Sequence, residues 1–512
     1  MRTILVSVSL VVACSGSDEV VNGNDAARVD AGGDDATTDA GPVDGLPVIA
    51  LTGIEVGFAG GRVPEGTGDD GGRPALLILS GTDIFPNAVV TATLAGTVLP
   101  STFRSFGGTT GGALTVEIPV LTDLARGETR QVVVTASQHD ATSTVTFEID
   151  GLDELALGAS GAATVDAVPA LYSRITISGD RHYTAGQTAP LVLRATGGIT
   201  ITSARVDVDA VGRVAGAHGC DGGAAAAAGA CGVGGGGNGG SAAVVGDGSG
   251  GGGGGFGTTG VVGAGGTGGA VGMVTGGDMM VPFVSTAGTA GNRGNGGGGG
   301  GAGMLVVGTA AGGAGGGGGG AVMLDAGGDI TVTGAGAAMS ASGASGSAGA
   351  GAAGGGGGGS GGAILVRSGG TISAPAAWLS AAGGGSGPGN NAGGSGGVGR
   401  VRIDVGSGDT SGMATTPASV RGPAWAPGTP TITTSPSGPL PLIGQPGRTY
   451  GIRLNGAAAG DVTLDGTGNG TATPTLTMGR NRVCVLWTTN AAATDLDKPE
   501  AQSCVDIAFT NL

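Results

Sequence analysis

The stretch 354–385 reads GGGGGGSGGAILVRSGGTISAPAAWLSAAGGG: six consecutive glycines, two short apolar runs, then glycine again. Glycine loses more freedom on ordering than any other residue, so a bare run stays open unless something compact holds it. Such runs recur along the chain, and Gly supplies 121 of its 512 residues. Two fates are open to them. One is a flexible linker. The other is a condensed array of extended three-residue helices, whose backbones approach closely because no Cβ intervenes. Charged residues are sparse between positions 212 and 400, and apolar clusters such as DMMVPFVST (278–286) and GMLVVGT (303–309) interrupt the glycine. Both features favour condensation, because little charge is present to keep the segment open.

Internal repetition sharpens that expectation. LVLRATGGITITSARVDVDAVG begins at Leu191, VMLDAGGDITVTGAGAAMSASG at Val322 and ILVRSGGTISAPAAWLSAAG at Ile364. Each holds an apolar strand, a charge (Arg194, Asp325, Arg367), a glycine turn and an Ile-Thr or Ile-Ser strand. Ile199, Ile330 and Ile372 take equivalent places, and a half-copy, VRIDVGSGD, starts at Val401. A unit of about 22 residues is close to one coil of a parallel β-helix. Residues 156–411 are therefore expected to form a glycine-rich parallel β-helix-like body, with the apolar strands as rungs and the glycine runs as packed, polyglycine-type extended loops.

The flanks read as strands too, which makes the chain all-β. In 46–155, GRPALLILSGTDIF, ALTVEIPV, RQVVVTAS and STVTFEID are short strands with Gly/Asp/Pro punctuation, the pattern of a β-sandwich. Leu114, Val116 and Ile118 would share one face, as would Val145, Phe147 and Ile149. The Pro-rich segment 412–445 reads as an extended linker. In 446–512, TYGIRLNG, GDVTLDG, TPTLTMG, NRVCVLW and SCVDIAF predict five strands of a small C-terminal β-sandwich. DGTGNG (465–470) is no calcium loop, because its twelfth position is Leu476 instead of a bidentate carboxylate.

The first fourteen residues, MRTILVSVSLVVAC, carry one positive charge, an apolar core from Ile4 to Ala13, and Cys14. They resemble a bacterial lipoprotein signal, with Val11-Val12-Ala13-Cys14 as the lipobox. That resemblance implies a signal peptide over 1–13, acylation of Cys14 and a membrane partner through the lipid. Ser15 after the cysteine resembles the signal of lipoproteins sorted to the outer membrane, which implies a cell-envelope, surface-exposed location. Residues 14–45 form an acidic tether in which eight acidic residues face one Arg28, a composition that stays extended and solvated. The 46–155 segment is similar to TIG/IPT immunoglobulin-like domains through LLILSGTDIF, and that family implies a spacer or interaction module. The glycine-rich body resembles the glycine-rich surface proteins of several bacterial groups, including the mycobacterial glycine-rich repeat family.

Of five cysteines, setting Cys14 aside as the lipid site leaves Cys220, Cys231, Cys484 and Cys504. An even remainder in two local pairs points to disulfides in an exported protein. Zinc would need CxxC spacing or neighbouring histidines, and only His218 lies close to any cysteine.

The net charge of −16, with Lys498 the single lysine, leaves no basic footprint for nucleic acid. No apolar run reaches the roughly 18 residues of a membrane-spanning helix. The G-x-S-x-G matches at Ser360 and Ser395 are expected in sequence this rich in Gly and Ser. No Gly-Lys pair exists for a phosphate-binding loop. His139, His182 and His218 lie far apart in sequence and read as surface residues. An enzymatic reading rests on Arg205, Asp207 and Asp209, which would share one strand face while Val206 and Val208 point inward. Paired carboxylates suit acid–base work on glycans, but the next copy is expected to place Gly336, Ala338 and Ser340 there. A third reading rests on ITIT and ITVT, whose threonines point outward in equivalent rungs, as a binder of ice or a crystalline polymer would require. The resulting expectation is a lipid-anchored, surface-exposed structural or adhesive protein without catalytic residues, cofactor or metal, whose partners are the membrane and glycans or other surface components. A secreted β-helix carbohydrate-active enzyme and a binder of a flat repetitive surface are the alternatives.

Overall fold

The structure, a computed structural model, describes residues 55–58, 75–81, 89–94, 96–99, 101–104, 112–118, 129–138, 141–150, 152–165, 170–183, 185–224, 227–230, 235–236, 248–265, 268–274, 280, 283, 311–406, 413, 415–426, 429–430, 432–477, 479–487 and 501–509. Among these the protein is all-β. The expectations placed on Cys14, the acidic tether, Cys231 and His139 lie outside the described residues.

Three parallel sheets wrap the central body, each taking one strand per coil. The threonine sheet stacks Leu155–Leu157, Ile175–Ile177, Ile199–Thr202, Ile330–Thr333 and Ile372–Ser373. The histidine sheet stacks Gly161–Ala163, Arg181–Tyr183, Arg205–Asp207, Ala338–Ser340, Leu379–Ser380 and Thr415–Thr416. The arginine sheet stacks Leu171–Tyr172, Leu191–Ala195, Ala321–Ala326, Ala363–Ser368, Arg400–Val405 and Val420–Arg421. The expected repeat register is the observed one: Leu191 pairs with Val322, Val322 with Ile364 and Ile364 with Val401. Ile199 pairs with Ile330, and Ile330 with Ile372.

Strand alternation explains the core. Ile175, Ile177, Ile199, Ile201, Ile330 and Val332 point inward, where they meet Leu193, Leu324, Val366, Val206 and Met339. The arginine sheet is buried on both sides, which is why its strands read as continuous apolar runs instead of alternating ones. Val192, Met323 and Leu365 point outward there and are covered by Phe256, Met280 and Phe283 from the first glycine-rich excursion.

Each of the last three complete coils leaves the histidine sheet and re-enters at the arginine sheet, over residues 208–320, 341–362 and 381–399. The described residues of these excursions condense into a bundle. Residues 352–362 form its central helix, bonded to five others. Gly251 and Gly254 donate to Gly355 and Gly358, each at 2.9 Å, and Gly355, Gly358 and Gly361 donate to Asn391, Gly394 and Gly397. Gly313, Gly316 and Gly319 donate to Gly354, Gly357 and Ser360. Gly356, Gly359 and Gly362 donate to Ser347, Ala344 and Ala341, while Gly384 and Gly387 donate to Gly359 and Gly356. Every register advances by three residues, the period of an extended polyglycine helix. A Cβ at Gly354 or Gly357 would overlap the carbonyl oxygens of Ser249 or Gly252; at Gly355 or Gly358, those of Gly387 or Gly384; at Gly356 or Gly359, those of Ala314 or Gly317. The central helix meets a neighbour on all three of its faces, so it can carry no ordinary side chain except where the lattice opens. The peripheral helix 341–350 needs glycine only at Gly343, Gly346 and Gly349, the positions that face the centre.

Two antiparallel sheets precede this body. One orders Glu55–Phe58, Ala75–Gly81, Gly112–Ile118 and Ser101–Arg104; the other orders Thr97–Leu99, Val89–Leu94, Thr129–Gln138 and Ala141–Asp150. Ala92, Val132 and Val134 are buried there. For Leu114, Val116, Ile118, Val145, Phe147 and Ile149 the strands are described but the side chains are not.

The C-terminal unit differs from expectation in two ways. The segment 412–445 is not a free linker. Thr415–Thr416 and Val420–Arg421 extend the coil, and Ala424–Trp425, Ile432–Thr433 and Leu440–Ile443 belong to the terminal sheets. All but one of the segment's prolines, Pro441, fall between these strands and leave the strand N–H groups free to pair, so proline density alone misled. TPTLTMG is likewise no strand; Asn469–Ala472 takes its place, pairing with Leu440–Ile443. The four remaining expected strands, with Ile432–Thr433 as the fifth, form a five-stranded sheet over a core of Tyr450, Ile452, Val483, Val485, Trp487 and Ile507.

Candidate functional site

The outward positions of the threonine sheet make a regular column. Thr176 pairs with Thr200, Thr200 with Thr331 and Thr331 with Ser373, so four successive coils carry a hydroxyl at one register. Thr202 pairs with Thr333 two residues further along. Thr202, Thr333 and Ser373 are exposed; Thr176, Thr200 and Thr331 are half-buried, flanked by their own column. Parallel strands lie about 4.8 Å apart and alternate outward residues about 6.6 Å, so the hydroxyls occupy a flat grid of those spacings. The inward isoleucines fix the grid: a one-residue slip would turn them to solvent and the threonines into the core. ITIT and ITVT announced the two middle rungs. Thr176 and Ser373 were missed because the first coil lacks the long apolar strand that marked the repeat, and the last shortens to Ile372–Ser373.

The histidine sheet carries the chemistry-bearing residues. Val206 and Val208 are buried as expected, and Arg205, Asp207 and Asp209 share the outer face. Arg205 lies 3.3 Å from Asp207 through Nε, and its Nη2 donates to Asp209 at 2.7 Å. His182, one coil earlier, donates to Asp207 Oδ1 through Nδ1. Asp209 Oδ1 accepts from the Ser340 hydroxyl and the Ser342 amide, both at 2.6 Å, one coil later. The expected register was off by two, since Arg205 faces Ala338 and Asp207 faces Ser340. The glycine turn in the later copy is longer, which displaced the alignment.

Burial raises the Asp207 carboxyl above its ordinary value. The His182 hydrogen bond opposes this, Asp209 adds to it, and Arg205 acts against it more weakly. All four carboxylate oxygens are occupied by partners within the protein. This group ties three coils together, and a glycan oxygen would have to displace one of those bonds to reach a carboxylate.

His182 is a partly exposed member of this cluster, whereas His218 corrects the surface expectation: it is fully buried and its Nδ1 donates to the Thr188 carbonyl at 2.6 Å. Ser360 and Ser395 lie in extended glycine helices, not at a strand-to-helix elbow, and Ser360 is fully buried.

A second outward column alternates in sign. Arg194 Nε donates to Asp325 at 3.1 Å, Arg367 stands 3.7 Å from Asp325 and 3.5 Å from Asp404, and Arg402 donates twice to Asp404. The terminal unit closes over this column. The Arg402 guanidinium lies 4.9 Å over the Trp487 ring, and Arg367 donates to the Gln502 carbonyl at 3.1 Å.

Cys484 and Cys504 sit opposite one another on paired strands and are bonded. Cys220 is disulfide-bonded and buried. Asp465 Oδ1 accepts from the Thr467 and Asn469 amides and the Thr467 hydroxyl, and these bonds, Asn469 first, hold its carboxyl below the ordinary range. That loop therefore spends its carboxylate on its own turn. Among the described residues no group of three or more His, Cys, Asp or Glu side chains is placed to hold a metal ion, and no helix is long and apolar enough to cross a membrane.

No protein-family model matches the chain, and neither a curated protein nor a solved structure matches it.

Proposed function

We propose that the protein is a non-catalytic, lipid-anchored adhesin of the cell surface that grips a flat, repetitive, hydroxyl-bearing surface through its threonine sheet. The observation that carries this reading is the in-register column Thr176–Thr200–Thr331–Ser373, with Thr202 and Thr333 beside it. A rigid grid loses little entropy on meeting an ordered partner, which is how a small set of weak hydroxyl contacts becomes useful affinity. The engagement of every oxygen of Asp207 and Asp209 by the protein itself favours adhesion over glycan cleavage. The anchoring half of the reading rests on the lipobox-like Val11–Cys14 and the acidic spacer that follows it.

Ordered glycan and ice present the same chemistry, a lattice of oxygen atoms, and the full chain can be tested against both. Retention on crystalline cellulose, on chitin or at a growing ice front is expected, without release of reducing sugar. The double variant Thr200→Tyr/Thr331→Tyr breaks the flatness at half-buried, outward-facing positions and should weaken retention at least tenfold with an unchanged circular dichroism spectrum. Retention equal to wild type in that variant, or none on any of the three surfaces, overturns the adhesive reading. Sugar release overturns the non-catalytic one. Cys14→Ala should lose palmitate labelling and leave the membrane fraction.

A further inference from the structure

The threonine sheet has a third outward column, one residue before its paired leucine and isoleucines. The ladder continues into it: Leu155, Ile175, Ile199 and Ile330 donate to the carbonyls of Arg174, Gly198, Asp329 and Thr371, at 2.9, 3.2, 3.0 and 2.9 Å. Burial alternates through it as well. Ser173, Gly328 and Gly370 are buried, whereas Asp329 and Thr371 are exposed and Arg174 is half-buried. From the first coil onward the column reads Glu154, Arg174, Gly198, Asp329, Thr371. It borders the hydroxyl grid with charge of both signs.

These charges are unspent. Among the described residues the Glu154 carboxylate and the Arg174 guanidinium have no hydrogen-bond or ion-pair partner. Asp329 accepts the Thr371 amide at 2.7 Å and the Thr371 hydroxyl at 3.0 Å, both through Oδ1, which leaves Oδ2 open. Between cation and anion stands Gly198. Its missing side chain leaves a gap two rungs wide, about 10 Å, and a Cβ there would come within 3.1 Å of the Asp329 carbonyl oxygen.

The chemistry of this face chooses its occupant. Its largest outward apolar groups are Ala156 and the threonine methyls, so it lacks the aromatic and aliphatic anchors found at the core of a protein interface. A guanidinium only donates hydrogen bonds and a carboxylate only accepts them, whereas a sugar hydroxyl does both. Charge-assisted bonds of that kind are about twice as strong as neutral ones. An ice surface gives a charge nothing that its own hydration shell does not, and stripping that shell costs free energy. The net charge of −16 opposes an anionic polymer. With no aromatic ring on the face, sugar is met through its hydroxyl edges instead of being stacked.

We propose that the threonine sheet takes a neutral polysaccharide, and that Arg174 and Asp329, facing each other across the Gly198 gap, select sugar over ice. This inference rests on the adhesive reading and narrows its partner to one chemical class.

Retention of the full chain on crystalline cellulose and on chitin, compared with inclusion at a growing ice front, tests it. Wild type should be held by at least one of the two polysaccharides and excluded from ice. Arg174→Gln and, separately, Asp329→Asn should weaken that retention at least fivefold, while Arg213→Gln, at an exposed residue off this sheet, leaves it unchanged. Asparagine keeps the oxygen that holds Thr371, and circular dichroism reports whether each variant keeps the wild-type fold, so either variant can carry the test alone. Inclusion in ice with no retention on either polysaccharide overturns the proposal and leaves the adhesive reading standing. So does retention that falls in Thr200→Tyr/Thr331→Tyr but is indifferent to both border substitutions. Retention on none of the three surfaces overturns the adhesive reading and this proposal with it.

Discussion

At the residue scale the protein is governed by where a Cβ can exist. At Gly357 an added methyl would overlap the Gly252 carbonyl, which belongs to a neighbouring helix that is itself held by hydrogen bonds. Neither side can give way without losing lattice contacts. Gly357→Ala is therefore expected to destabilise by about 1–3 kcal/mol, the range of core overpacking. Ala348→Ser, at an exposed position of a peripheral helix, should change stability by no more than about 0.5 kcal/mol. Denaturant midpoints of the two variants make the comparison. The same logic makes the glycine spacing legible in sequence. Consecutive glycines mark a helix with neighbours all round, and a glycine at every third place, as in Gly343, Gly346 and Gly349, marks a helix at the rim. Which helices are neighbours could not be read that way, because glycine carries no side chain to specify a partner.

At the scale of the element, the rung is the unit, and its polar outer face responds to pH. Asp207 has its carboxyl raised above 3.8, with burial as the largest cause. An acid whose folded value lies above its unfolded one binds its proton more tightly in the folded state. Its contribution is fully present below about 3.8 and declines as pH rises through the raised value, then stays level. Asp207→Asn should flatten that decline in unfolding free energy between pH 3 and 7. A pH series of chemical denaturation on both chains reads the difference; an unchanged slope in the variant would remove the burial argument. The cross-rung partners were invisible in sequence because His182, Asp207 and Ser340 meet only when coils stack. Repeat alignment supplied the rungs, but the unequal turn before Ala338 put the outer face out of step by two residues.

For the whole molecule, one excursion corner gathers three separate glycine segments into a single body alongside the coil. Amide exchange tests whether that body is as firm as its bonding implies. The amides of Gly355, Gly358 and Gly361 lie in the central helix and donate to a neighbour, so they should exchange only on global opening, with protection matching that of Ile201 and Leu324 in the coil core. Exchange at the unprotected rate would mean that the bundle does not persist in solution. The terminal unit is tied to the same body by Arg402 over Trp487 and Arg367 to Gln502. Its first strands come from a proline-rich segment that composition assigned to a linker; only the pairing of Ala424–Trp425 with Leu440–Ile443 makes it structure.

The sequence by itself determined the strand alternation, the coil repeat and which segments are glycine runs, because these depend on local period and on the presence or absence of a Cβ. Only the tertiary structure decided which glycine segments are neighbours, which hydroxyls fall into one column and which carboxylates are already occupied. Those are meetings between residues 20 to 140 or so apart in the chain, and no local pattern encodes the closure that brings them together.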